Sequence, residues 1–211
     1  MKRTIVSLKT RCVLAAWLIA QACQPKPAPV EQSLGNRTVT ETPDVRSSAA
    51  LPAAKPTYDT PAPFQTQIKD VWQTYLAIKD ALVASDVVRA GQQAVAFEAS
   101  LKKTDAGVLS LEARRGWAAQ VDSLIRQSAL LRAGKTLGSQ REAFERLSAG
   151  VYTLVRQVGV NGATVYRQYC PMAFNDQGAY WLSAESEIKN PYFGDQMLEC
   201  GKVEEALRFG E

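Results

Sequence analysis

The stretch FQTQIKDVWQTYLAIKDALVA, residues 64–84, decides the fold class. Its large apolar residues recur at intervals of three and four, which is the spacing of one face of an α-helix. The residues on that face are Phe64, Ile68, Val71, Tyr75, Ile78 and Leu82. The pattern predicts an amphipathic helix that packs through this face against other parts of the chain.

Three further segments towards the C-terminus have the same periodicity. Ser85 and Asp86 are capping residues before the second predicted helix, and Gly134 follows the third. Ser139 and Glu142 have the spacing of a capping box, which predicts the start of a fourth helix. Four amphipathic helices joined by short loops predict an antiparallel four-helix bundle.

The helical period stops after Gly162. The sequence ATVYRQYC, residues 163–170, combines β-branched and aromatic residues and predicts a short strand. The sequence KVEEALRF, residues 202–209, predicts a last turn or short helix. The predicted fold class is therefore mainly α, with an aromatic-rich C-terminal segment that contains a short strand and irregular structure and folds onto the bundle.

The net positive charge of the chain is due to its first eleven residues. The chain has 25 basic and 21 acidic residues, and four of the basic ones lie among the first eleven residues: Lys2, Arg3, Lys9 and Arg11. The remainder is close to neutral, so it has no general electrostatic attraction to a phosphate backbone. We therefore expect no nucleic-acid partner.

These first residues have the layout of a secretory signal peptide, predicted over residues 1–22. A basic start is followed by an apolar stretch that is too short for a membrane span, and then by small residues. Cys23 follows in a sequence that resembles a bacterial lipobox, which predicts lipidation of Cys23 and a tether to the outer membrane, facing the periplasm. The alternative is ordinary cleavage after the A-x-A sequence Ala20-Gln21-Ala22.

Residues 23–63 are predicted to form a disordered tether. Eight of the ten prolines lie there, together with many Ala, Ser and Thr residues and few large apolar ones. Such a composition buries too little surface to offset the entropy lost on ordering. The predicted domains are thus the signal peptide at 1–22, the tether at 23–63 and a helical domain at 64–211.

Four sulfur-containing residues near the C-terminus form a candidate site: Cys170, Met172, Met197 and Cys200. Thiolate and thioether ligands are soft and suit Cu(I) or Ag(I) better than Mg²⁺ or Ca²⁺. A disulfide between Cys170 and Cys200 is the first alternative, because an exported compartment permits it. Two buried thiols, with methionines that only pack, are the second. The sequence leaves all three open.

The chain contains no histidine. A Ser-His-Asp or Cys-His catalytic set is therefore absent, and we predict that the protein is not an enzyme. Two cysteines without histidine also fall short of a structural zinc set. Carboxylates near the sulfurs are interpreted as solvated loop charges rather than a paired-acid site: Asp176, Glu185, Glu187, Asp195 and Glu199.

The motifs QREAFERLS, YCPMAF, GAYWLS, EIKNPYFG and MLECG follow one another in this order in residues 140–201. In this order they resemble an exported bacterial domain of unknown function. That domain is found alone in lipoproteins and at the C-terminus of periplasmic adaptor subunits of heavy-metal efflux pumps. The resemblance covers residues 64–211 and implies an α-helical domain with a link to copper or silver handling and to efflux components. Many relatives have histidine where this chain has Ala143, so an imidazole ligand is lost here.

Overall fold

Four long helices are followed by a small sheet in the computed structural model, which describes residues 53–210. The helices are α1 (Ala62–Val83), α2 (Val87–Lys103), α3 (Leu111–Ala133) and α4 (Leu137–Val158). After them come β1 (Thr164–Cys170), the short turn α5 (Ala173–Asp176), β2 (Ala179–Ser183) and β3 (Lys202–Arg208). The mainly α class is confirmed. The predicted signal peptide, Cys23 and most of the predicted tether lie outside the described residues.

The apolar face of α1 is buried as its periodicity predicts. All six residues of that face are at most 2% exposed. Pro61 precedes the helix, and its extended backbone ends the preceding segment without a side-chain cap. The Asp86 carboxylate accepts a hydrogen bond of 2.9 Å from the backbone N–H of Arg89, which confirms the predicted cap of α2.

The start of α4 differs from the prediction. The helix begins at Leu137, and Thr136 rather than Ser139 is its capping residue. The Thr136 hydroxyl accepts from the Ser139 backbone N–H at 3.2 Å, and the Ser139 hydroxyl accepts from the Thr136 N–H at 3.3 Å. Ser139 therefore fills the third helical position of the capping box, which the prediction gives to Glu142. Thr136 is itself a capping residue type with an extended backbone, so it takes the earlier position.

Each helix packs against the next one in sequence, and α1 also contacts α4. Tyr75 of α1 stacks on Phe144 of α4 with ring centroids 5.4 Å apart, and Phe64 meets Trp117 of α3 edge-on at 5.4 Å. Aromatic rings from three helices thus share one core. The antiparallel four-helix bundle, as a finer description of this packing, stays a prediction.

The sheet is antiparallel in the order β2-β1-β3. The predicted strand is therefore confirmed as the central one, but the sequence GAYWLS supplies a second strand that the sequence analysis does not predict. The sequence KVEEALRF forms β3, so its prediction as a turn or short helix is wrong. Its Glu, Ala and Leu residues favour a helix weakly, and pairing with β1 over the whole strand overrides that preference.

Polar contacts join the sheet and the N-terminal residues to the helices. The Tyr75 hydroxyl lies 2.8 Å from the Ser148 hydroxyl and accepts from the Leu182 N–H at 3.0 Å. Residues 53–60, which the sequence assigned to the tether, are also bonded: Thr57 N–H donates to Arg156 O at 3.1 Å and Tyr58 N–H to Gln157 O at 2.8 Å. Within residues 53–210, no helix is both long and apolar enough to span a membrane.

Candidate functional site

The sheet brings the two cysteines together. Cys170 is the last residue of β1, and Cys200 lies two residues before β3 begins. Because Tyr169 pairs with Lys202, the end of one strand lies beside the start of the other. The two sulfur atoms are 3.0 Å apart, although the residues are separated by 30 positions in the sequence. Both cysteines are free.

The two thiols differ in their surroundings. Cys170 is fully buried and Cys200 is half-buried. The neighbouring Cys170 side chain and burial raise the pKa of the Cys200 thiol, while a backbone N–H of Met172 near its sulfur opposes the rise. A raised pKa keeps more of Cys200 protonated at neutral pH, which makes it less reactive as a thiolate.

Gly201 allows the chain to turn from Cys200 into β3. Its φ of 150° lies in a region that side chains rarely adopt. A Cβ atom at this position would lie 2.9 Å from the carbonyl oxygen of Tyr169 and 2.9 Å from the ring of Trp181. Only glycine permits this approach, so Gly201 sets the distance between Cys200 and β1.

Asn190 holds the loop that carries Cys200. It is fully buried, and its side-chain amide donates to the Cys200 carbonyl at 2.7 Å and accepts from the Tyr192 N–H at 2.8 Å. The backbone N–H of Asn190 donates to the Leu198 carbonyl at 2.8 Å. Residues 190–194 form a turn, in which the Gly194 N–H donates to the Asn190 carbonyl at 2.9 Å. An Asn-Pro pair is typical of a turn, but the sequence does not reveal that the Asn side chain orients Cys200.

Gln168 and Arg141 fix the same loop from the sheet and from α4. Buried Gln168 donates through its side-chain amide to the carbonyls of Glu185 at 2.9 Å and Glu187 at 3.1 Å. The Arg141 guanidinium donates to the Pro191 carbonyl at 2.9 Å. Desolvation lowers the pKa of Arg141, and the charge of Asp195 opposes this. Sequence reasoning missed both residues, because nothing in their local pattern marks them.

The methionines lie at the surface beside the cysteines. Met172 is 47% exposed and Met197 is 41% exposed, so neither is buried in the aromatic packing. Their backbones are close to Cys200: the Met172 N–H points to its sulfur, and the Met197 carbonyl accepts from its N–H at 3.1 Å. The structure thus gathers all four predicted residues into one region of the C-terminal segment.

A strained turn follows Met172 and returns the chain to β2. Phe174, Asn175 and Asp176 have φ values of 53°, 57° and 63°, which are left-handed and costly for side-chain-bearing residues. The Phe174 ring meets the Tyr192 ring edge-on at 5.4 Å, and the Gly178 N–H donates to the Ala173 carbonyl at 2.9 Å. These contacts hold the turn that keeps Met172 beside Cys200.

The carboxylates near the sulfurs are exposed, as the sequence interpretation expects: Asp176, Glu185, Glu187, Asp195 and Glu199. Glu185 and Glu187 both pair with Lys189 at 2.9 Å. Among residues 53–210, no three His, Cys, Asp or Glu side chains are grouped so that they could hold a metal ion. Two thiolates alone make a two-coordinate site, so a third side-chain ligand in this part of the chain would have to be of another type, such as a methionine thioether.

Residues 71–162 match the model of a family described as a protein of unknown function (DUF3347). This match runs from within α1 to just beyond α4. No curated protein and no solved structure matches the chain. The match supports a resemblance to an uncharacterised domain family over the helices, and it ends before the four sulfur residues. The lipoprotein and efflux context stays a prediction.

Proposed function

We propose that the protein is an exported, lipid-anchored binding protein that holds one soft monovalent ion, Cu(I) or Ag(I), between Cys170 and Cys200. Met172 and Met197 supply thioether ligands from the surface. The protein binds and relays this ion in the bacterial envelope, or assists a metal efflux system, and it carries out no catalysis. The observation that carries the proposal is the approach of the two sulfurs to 3.0 Å, with both methionines exposed beside them.

The sulfur separation suits a bound ion after a small movement. Metal–thiolate bonds of about 2.3 Å put two sulfurs about 4 Å apart around a shared ion. The free thiols are 3.0 Å apart, so each sulfur moves by about half an ångström to reach that distance. Two soft thiolates and one or two thioethers are a ligand set that favours Cu(I) and Ag(I) over harder ions.

Exposure of the methionines supports relay rather than permanent storage. Cys170 is buried, whereas both methionine residues are more than two-fifths exposed. An ion that arrives from a donor protein meets the thioethers first and then moves to the thiolates. This order gives a path in which ligands are exchanged one at a time at the surface.

A disulfide between Cys170 and Cys200 is the second candidate, and the same approach of the sulfurs favours it. A disulfide bond is about 2.05 Å long, so its formation requires the sulfurs to move together by about 1 Å. The bond closes a loop of about 30 residues, which contributes about 3–4 kcal/mol in the chain-entropy model. In this alternative, the segment is a stapled structural or protein-interaction unit without a metal.

The test is native mass spectrometry of the full chain, reduced and mixed anaerobically with Cu(I) or Ag(I). We expect one ion per chain. Cys170→Ser and Cys200→Ser should each abolish binding, while Met172→Leu and Met197→Leu should weaken it. Leu198→Ala, next to Met197 and also exposed, is the matched control and should bind as the wild type does. If the reduced wild type takes up no more ion than the double cysteine variant, the metal proposal fails and the disulfide candidate replaces it.

A further inference from the structure

A cavity of about 250 Å³ lies between α4 and the sheet, and neither cysteine lines it. One side is the face of α4 that carries Glu145, Ser148 and Tyr152, and the other side is formed by β1 and β2. The proposed metal function makes no use of this cavity. Its volume is slightly below the range of typical ligand pockets, which limits an occupant to a small molecule.

A clamped arginine lies at the cavity. The Arg167 guanidinium carbon is 4.4 Å from the centre of the Tyr152 ring and 3.8 Å from the centre of the Tyr180 ring. Both distances are within the range of a cation–π contact, so the two rings hold the guanidinium at the cavity. A ring does not take up the N–H donors in the way a carboxylate does, so these donors can still bind a planar acceptor.

The acidic residue nearest to Arg167 in the sheet register is already occupied. Arg167 pairs with Glu205 across β1 and β3. The Glu205 carboxylate instead accepts from the Tyr152 hydroxyl at 2.7 Å and from Arg156 at 3.2 Å. Burial and this contact raise the pKa of Tyr152, so its hydroxyl stays protonated. Within residues 53–210, Arg167 forms no ion pair and donates no side-chain hydrogen bond.

The rest of the lining indicates what kind of anion fits. Trp181 is fully buried, Leu182 is 1% exposed, and both line the cavity together with Ala149. These groups suit a small apolar body. Glu145 also lines the cavity, and its negative charge opposes every anion in proportion to that anion's charge, so a singly charged ligand is disfavoured less than phosphate.

We propose that this cavity binds a small organic monocarboxylate, whose carboxylate accepts two parallel hydrogen bonds from Arg167 and whose apolar part lies against Trp181. A guanidinium and a carboxylate match in planar, bidentate geometry, and the pair is stronger than a neutral hydrogen bond. The ligand also provides the anionic partner that Arg167 does not find within the described part of the chain. The site is independent of the cysteines, so its test does not depend on metal binding.

The test compares phenylacetate with phenylacetamide, its neutral analogue, by NMR titration of the full chain. The Trp181 indole N–H signal, assigned with Trp181→Phe, reports binding. We expect phenylacetate to bind at least ten-fold more tightly than phenylacetamide. Arg167→Gln should remove this difference. Arg146→Gln is the matched control, because Arg146 is an exposed arginine on α4 that does not line this cavity, and it should keep the difference.

A second variant covers the case in which Arg167→Gln disturbs the sheet. Ala149→Leu adds bulk to the cavity from the exposed side of α4 and leaves the Arg167 clamp in place. It should lower phenylacetate affinity at least ten-fold with unchanged circular dichroism. The proposal is overturned if phenylacetate does not bind, if phenylacetamide binds equally well, if Ala149→Leu binds as the wild type does, or if inorganic phosphate binds more tightly than phenylacetate.

Discussion

The helices α1–α4 and the segment 164–209 are stabilised by contacts of different range. The helices depend on local caps and on broad apolar faces, such as the one that buries Phe64, Ile68 and Val71 at most 2% exposed. The C-terminal segment adds residues such as Trp181 and Leu207 to the apolar core, and it also depends on single polar side chains that reach across the sequence, such as Tyr75 to Leu182. The stability lost in a helix variant should therefore increase with the apolar area that the substitution removes. In the C-terminal segment, the stability lost should depend on which individual contact is removed.

The largest effect should come from the apolar core. Trp117 is 5% exposed and its ring meets Phe64 edge-on. Trp117→Ala should lower the free energy of unfolding by about 3–5 kcal/mol, because it removes a large buried ring and leaves a cavity. Urea denaturation measures this loss. Leu130→Ala on the same helix, at a position 53% exposed, should change it by less than about 0.5 kcal/mol. Equal losses would mean that burial does not determine the stability of the helices.

The same contrast explains how far the sequence predicts this fold. The bounds of α1 and α3 follow from periodicity and from single residues such as Gly134, because a helix is built from contacts three and four residues apart. Strand β3 has no such local signal. Its residues favour a helix weakly, and only its pairing with β1, about 40 residues earlier, makes it a strand.

The candidate site, like the fold, can be predicted from the sequence only in part. The four sulfur residues are visible as a cluster of types, and the structure brings them into one region. The residues that position them are not visible in this way. Asn190 and Gln168 act through backbone carbonyls 10 and 17 residues further along the chain, and their amide side chains are common on surfaces. Burial decides their role, and burial depends on the tertiary fold.

Gly201 gives the second-largest expected effect, and it lies in the C-terminal segment. Gly201→Ala should lower the free energy of unfolding by about 1–3 kcal/mol. The φ of 150° is strained for alanine, and a Cβ atom would lie 2.9 Å from the Tyr169 carbonyl oxygen. It should also slow formation of a Cys170–Cys200 disulfide, measured by thiol titration during oxidation. Gly210→Ala, where a Cβ meets nothing within 4 Å, is the control and should leave both quantities unchanged. Unchanged oxidation in Gly201→Ala would contradict the role given to Gly201.

Loss of the hydrogen bond that links the two regions should lower the free energy of unfolding by about 1–3 kcal/mol. Tyr75→Phe removes the hydroxyl that accepts from the Leu182 N–H and leaves that buried donor without a partner. Burial raises the pKa of Tyr75, so the hydroxyl is neutral throughout the ordinary pH range. Urea denaturation of Tyr75→Phe and Tyr180→Phe compares this hydroxyl with one that is more exposed and makes no hydrogen bond within the described chain. A loss no larger than that of Tyr180→Phe would show that the two regions do not depend on this contact.

The affinity for Cu(I) should depend on pH, because the Cys200 thiol of the C-terminal segment loses a proton when it binds the ion. Cu(I) displaces thiol protons, and the raised pKa of Cys200 makes protons stronger competitors. Below that pKa, the apparent affinity should fall about ten-fold per pH unit for each proton displaced, which is about 1.4 kcal/mol. Competition with a colorimetric Cu(I) chelator, from mildly alkaline to mildly acidic buffer, measures this slope. The same affinity at all these pH values would mean that the Cys200 thiol does not lose its proton on binding.

The smallest expected effect has the opposite sign and tests the helical side of the comparison. Gly91 lies inside α2, and a Cβ there meets its nearest atoms, Gln140 Nε2 and Arg132 O, at 3.7 and 3.8 Å, which is ordinary contact. Gly91→Ala should therefore raise the free energy of unfolding by about 0.5–1 kcal/mol, because alanine loses less backbone entropy in a helix. The same substitution thus stabilises one region at Gly91 and destabilises the other at Gly201. If Gly91→Ala is destabilising in urea denaturation, the packing of α2 against α3 and α4 is as specific as the contacts of the C-terminal segment. The distinction between broad faces and individual contacts would then not hold for this helix.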